Sequence, residues 1–138
     1  MSRQVFIDTS AWIMLLNQSE PKHREAVHIY NELQSHLIYV SNLVISETYT
    51  WLRRKSSFQV AYDFVKSVER KEELKQVKVV YSNREVEQQA IHLLNQYADH
   101  RFSYVDAVSI CMIRNLGIYK VFAYDRHFTL AGVEQVAY

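Results

Sequence analysis

The hydrophobic and polar positions of this chain change period several times between its two ends. "RQVFI" (Arg3–Ile7) is a short apolar run of the kind a buried strand shows. After Asp8, Thr9 or Ser10 is placed to cap a short helix that continues to about Asn17. Between Pro21 and His36 the period becomes that of a helix, with Ala26, Val27, Tyr30, Leu33 and Leu37 recurring at helical spacing. "LIYVS" (Leu37–Ser41) reads as a second strand. Helical patterns follow over Asn42–Lys55, where Ile45, Tyr49 and Leu52 share a face, and over Ser57–Arg70. Leu74–Ser82 alternates and contains a β-branched pair, so it reads as a strand. Ser82 with Glu85 predicts a capping box for a helix over Asn83–Ala98. Ser103 with Asp106 predicts a second box, for Tyr104–Leu116, with Gly117 as the C-cap. Lys120–Asp125 reads as another buried strand and Glu134–Tyr138 as a weak last one.

Strands that alternate with helices predict a three-layer α/β/α fold with a mainly parallel central sheet. No repeat, low-complexity stretch or composition break divides the chain, so residues 1–138 are expected to form one domain. Composition sharpens this in three places. Two glycines and one proline favour helices joined by short connections, and they exclude the clustered glycines of a P-loop or dinucleotide fingerprint. A net charge of +1 gives no global field, so contact with nucleic acid would need a local basic patch. The lone cysteine, Cys111 in "VSICMI", reads as a reduced core residue and leaves no disulfide within the chain. No apolar run approaches the ~20 residues of a membrane span. The run from Val5 is broken at once by Asp8, unlike a secretory leader, so a cytoplasmic location is expected.

The informative chemistry is acidic. Of five aspartates, three stand in strongly apolar company: Asp8 in "VFIDTSA", Asp106 in "YVDAVSI" and Asp125 in "VFAYDRHF". Glu47 in "LVISETYTWL" is a fourth acid inside an apolar helix. Burying a carboxylate is costly unless it is paired or coordinated. Asp8 and Asp125 fall at the carboxyl ends of predicted strands, the edge where parallel sheets bind ligands. Asp106 opens a helix, and Glu47 lies one turn into a helix that follows a strand. Four carboxylates converging on one cleft are tolerable mainly around a divalent cation, and all-oxygen ligation points to Mg²⁺ or Mn²⁺ rather than zinc. Each acid also has a plain structural reading: Asp8 as a helix cap, Asp106 as the partner of Ser103, Glu47 as a solvated helix residue, Asp125 as the start of a turn. The functional reading rests on all four together.

With these four acids in order, the sequence resembles the PIN-domain family, and in size the VapC-type toxins within it. The motifs are "FIDTSAW", "VISETYTWL", "SYVDAVSI" and "AYDRHF", and together they span essentially the whole chain. The chain departs from the family pattern at Ala123, where a Thr or Ser commonly stands two residues before the fourth acid. The resemblance implies a Mg²⁺-dependent endoribonuclease. Asp8, Glu47, Asp106 and Asp125 would then be the catalytic and metal-binding residues, with Ser10 as a supporting hydroxyl or, equally, a helix cap. It also implies an RNA substrate, tRNA among the candidates, an antitoxin partner and a homodimer. Arg53, Arg54, Lys55 and Arg126 are candidate phosphate contacts, with Arg101 and His127 nearby; for Arg53–Lys55 an offset of the helix dipole is an equal reading. His127 itself is read as a surface or packing residue rather than a general base. Two other classes compete. A phosphatase or phosphoacceptor with Asp8 as nucleophile lacks the second acid such enzymes place where Ser10 stands. A catalytically silent PIN fold serving as an RNA-binding or scaffolding module differs only in failing to bind metal and cleave.

Overall fold

The short apolar runs become strands because both faces of the sheet are covered. Val5, Phe6, Ile7, Val40, Val121 and Phe122 have no exposed surface, as parallel strands between helical layers require. The computed structural model describes residues 3–137; Tyr138, the end of the last predicted strand, lies outside them. The strands are β1 (Gln4–Ile7), β2 (Leu37–Ser41), β3 (Val77–Val80), β4 (Lys120–Phe122) and β5 (Glu134–Gln135). The helices are α1 (Thr9–Leu16), α2 (His23–Glu32), α3 (Asn42–Lys55), α4 (Phe58–Glu73), α5 (Arg84–Gln96), α6 (Tyr104–Leu116) and α7 (His127–Leu130). Every strand pairing is parallel, so each connection must cross over through a helical layer. Helix α1 packs on α2 and α3, α3 on α4, and α5 on α6.

The sheet order is β3-β2-β1-β4-β5. The chain leaves β1 toward one side and enters β4 on the other, so the carboxyl ends of β1 and β4 border a topological switch point, where such sheets open a crevice. Asp8 follows β1 directly. Strand β4 ends at Phe122 rather than Asp125, and the remaining residues turn into the unforeseen helix α7.

Helix α6 is buried from Asp106 to Ile113, which marks a helix enclosed by the core rather than a surface one. Its start is the predicted capping box: Asp106 N donates to Ser103 Oγ at 3.0 Å, and Ser103 N to Asp106 Oδ2 at 2.9 Å. Its end is Gly117 at φ 68°, a left-handed position that favours glycine. Ser103→Ala is expected to lower stability by about 1 kcal/mol, a typical cap loss, measurable as a shift in the urea midpoint. An unchanged midpoint would show that Asp106 holds the helix start alone.

Other boundaries differ from the sequence reading. The Ser82 box does not form: Asn83 caps α5 by accepting from Val86 N at 2.9 Å, while Ser82 N donates to Asn42 Oδ1 at 2.9 Å and fastens the end of β3 to α3. Asp8, not Thr9 or Ser10, caps α1. Strand β3 is shorter than predicted because α4 runs on to Glu73 and closes through Lys75 at φ 60°, with Gln76 N bonded to Lys71 O at 2.9 Å. The predicted helix from Pro21 begins only at His23 and tightens to a 3₁₀ turn over Leu33–Ser35.

Candidate metal centre

Asp8 is 2% exposed, and its backbone N donates across the switch point to Phe122 O at 3.0 Å. As the cap of α1, its Oδ2 accepts from Ser10 N at 3.3 Å and from Ser10 Oγ at 2.9 Å. Ser10 Oγ also accepts from Tyr124 N at 2.9 Å. One hydroxyl therefore fixes the first acid and ties it to the chain leaving β4. Asp8 Oδ1 is buried without a hydrogen-bond partner. Such an orphaned carboxylate oxygen is costly unless something outside the protein satisfies it. Burial, and then the charge of Asp106, push the Asp8 carboxyl up to about 7, against the hydrogen bonds from Ser10.

The other acids arrive from separate elements. Asp106 stands in the first turn of α6, where the helix dipole favours a carboxylate. Glu47, half-buried on α3, is pushed up by burial, with the Thr9 hydroxyl opposing and the charges of Asp106 and Asp125 adding. Asp125, in the turn before α7, is pushed up by burial, opposed by the His127 N–H, with the Asp106 charge adding. Its Oδ1 accepts from His127 N at 2.9 Å, so the expected turn forms as well.

His127 was not expected here. Its Nδ1 lies 2.7 Å from Asp106 Oδ2 and 2.8 Å from Asp125 Oδ1. Among the described residues, Asp106, Asp125 and His127 offer ligand atoms within 4.8 Å of one another and form a candidate cation site. Asp8 and Glu47 stand outside that tight set but join it through charge coupling to Asp106. The signal that could have found His127 is its place two residues after Asp125, on the first turn of a helix that begins beside the acid.

Ala123 is fully buried, and Gln135 Nε2 donates to its carbonyl at 2.9 Å. No side-chain hydroxyl stands at that position, and the neighbouring Tyr124 amide donates to Ser10 Oγ on α1. Of the basic candidates, Arg54 and Lys55 line a groove of about 350 Å³ together with Glu47, Thr50 and Trp51. Arg53 turns away, its guanidinium 5.8 Å from the ring of Phe58, which stacks on Tyr62. Arg126 and Arg101 are exposed.

At the switch point of a parallel α/β sheet, then, Asp106, Asp125 and His127 form a candidate cation site, with Asp8 and Glu47 electrostatically coupled to it. The chain belongs to the PIN-domain family: the family's sequence model matches residues 5–133. Within the family it is VapC-like. It is 30% identical over 132 residues to the 23S rRNA-specific endonuclease VapC20 of Mycobacterium tuberculosis, covering 96% of this chain and 97% of that protein. The crystal structure of that toxin, described as sarcin–ricin loop cleaving, superposes with a TM-score of 0.84 at 28% identity, over 94% of this chain and 95% of that one. DNA-bound VapBC from Salmonella typhimurium shares the fold, with a TM-score of 0.66 at 14% identity over 98% and 97% of the chains.

Proposed function

We propose that this chain is a Mg²⁺-dependent endoribonuclease and the toxin of a type II toxin–antitoxin pair. The observation that carries the reading is the orphaned, buried Oδ1 of Asp8 in a cluster of acids that raise one another. Asp8, Glu47, Asp106 and Asp125 would hold the cation, and an oxygen-rich donor set suits Mg²⁺ or Mn²⁺. A bound Mg²⁺ supplies an activated water and charge stabilisation for hydrolysis of a phosphodiester. The protein's own part is orientation. Ser10 fixes Asp8, and His127 holds Asp106 and Asp125 at a set spacing. Arg54, Lys55 and Arg126 on the rim would meet phosphates, with Arg53 contributing less because it lies over Phe58.

The similarity to VapC20 makes a 23S rRNA loop the first substrate to test and tRNA the second. Toxin–antitoxin complexes such as VapBC, which share this fold, support an antitoxin as partner. Exposed Phe58 and Tyr62, which stack on each other, give it an apolar place to lie. A second copy of the chain is the other expected partner, and an RNA substrate places the protein in the cytoplasm. Among the described residues, no helix is long and apolar enough to cross a membrane.

Purified protein should cut 23S rRNA fragments or tRNAs in Mg²⁺ or Mn²⁺ and leave them intact in EDTA. Inertness toward every RNA, together with no detectable cation binding, would replace this reading with the silent RNA-binding or scaffolding module.

A further inference from the structure

The connection between α5 and α6 carries three aromatic rings that lead directly to the acids. Phe102 lies 4.9 Å from the ring of His127, the residue that bridges Asp106 and Asp125. Tyr97 stacks on Phe102 at 5.2 Å and 27°, and His100 stacks on it at 5.9 Å and 24°. Phe102 and Tyr97 are partly buried against the core, so their planes are anchored. His100 is exposed, and Arg101 beside it is exposed as well. Tyr97 and His100 are themselves 5.8 Å apart and tilted by 49°, so the rings form a cluster around Phe102, with Phe102 against His127 and His100 exposed to solvent. A flat aromatic ligand can extend this cluster with no rearrangement of the core. Arg101 and Arg126, next to His100 and His127 in sequence, are both exposed, and their charge suits the phosphates that flank a base.

We infer that residues 97–103 form a stacking platform for one unpaired RNA base next to the bond that is cut. The inference rests on the ribonuclease reading and adds which residues meet a base of the substrate. A duplex hides its base faces within its own stack, whereas a loop base can splay onto a ring. Stacking of this kind tolerates any base, so the platform would select strandedness more than sequence.

The test uses Asp8→Asn protein in Mg²⁺, which leaves the platform untouched and is expected not to consume the RNA. It is titrated with a short oligoribonucleotide that carries 2-aminopurine, single-stranded or annealed to its complement. The expected result is quenching of the single strand only. Adding His100→Ala should weaken binding about tenfold, the scale of one base–aromatic contact, and His100→Phe should restore it. A structural role for His100 would not be rescued by a bare ring. Absence of quenching, equal quenching of the duplex, or unchanged affinity in the His100→Ala protein would each overturn the inference. Cleavage by the unmodified protein in Mg²⁺ is scored separately. If it cuts RNA but His100→Ala changes nothing, the platform fails and the nuclease stands. If single strands are quenched but nothing is ever cut, the nuclease reading fails, and the platform is overturned as a cleavage subsite while base stacking itself remains.

Discussion

Asp8→Asn is expected to reduce Mg²⁺-dependent RNA cleavage by about a thousandfold. A catalytic cation supplies several kcal/mol of charge stabilisation, and ~4 kcal/mol corresponds to about three powers of ten in rate. The substitution keeps the shape of the residue and its cap, since Asn and Asp serve nearly equally at that position. Ser10 can still donate to the remaining oxygen, and the Ser10–Tyr124 link does not involve the Asp8 side chain. Loss of activity with an unchanged circular dichroism spectrum and an undiminished melting temperature would therefore locate the effect in the chemistry. Glu47→Gln should act in the same direction. Full activity in the Asp8→Asn protein would remove Asp8 from the reaction and reduce it to a helix cap.

The second large effect is on stability and needs no substrate. In EDTA the protein should lose stability as the pH rises from about 4 to about 7. The sign follows from proton counting. The Asp8 carboxyl ordinarily titrates near 3.8 and in the fold is pushed up to about 7. Between those values the folded chain holds a proton that the unfolded chain has released, so raising the pH favours unfolding. Asp8 alone sets an upper bound of about 4 kcal/mol for the change. Glu47 and Asp125 are shifted upward too and push in the same direction. Mg²⁺ should recover the loss at pH 8, because a ligand that binds only the folded state stabilises it. Asp8→Asn should flatten the slope. Urea denaturation at pH 5 and pH 8, with EDTA and with Mg²⁺, tests all three statements. A flat profile in EDTA, or higher stability at pH 8 without the cation, would contradict them.

What the sequence disclosed and what it hid divide along a physical line. Strand-and-helix order up to β4, the box at Ser103 and the turn at Gly117 are local signals, and they are present as read, whereas α7 was not foreseen. The four acids were legible because each breaks an apolar run, and a carboxylate in such company demands an explanation. His127 was not legible, because its significance depends on Asp106, twenty-one residues away in sequence, meeting Asp125 in space. The platform over residues 97–103 was hidden for a similar reason. Tyr97, His100 and Phe102 show neither helical nor strand spacing, and only the fold sets their planes against His127. The Ser82 box failed where two good capping residues stand side by side: Asn83 has the extended backbone a cap needs, and Ser82 is bound to α3 instead. Ala123 looked like a defect in the family pattern, yet the Ser10 hydroxyl approaches the same strand end from α1.

The link from Ser10 to Tyr124 joins positions 114 residues apart, and it fixes when the site comes into being. A chain made from its N-terminus has Asp8, Glu47 and Asp106 well before β4 can slot in beside β1. Until that late insertion, the first acid has no Tyr124 amide behind Ser10, and Asp125 and His127 are missing altogether. The long-range closure that slows the folding of parallel sheets would here serve as a delay fuse.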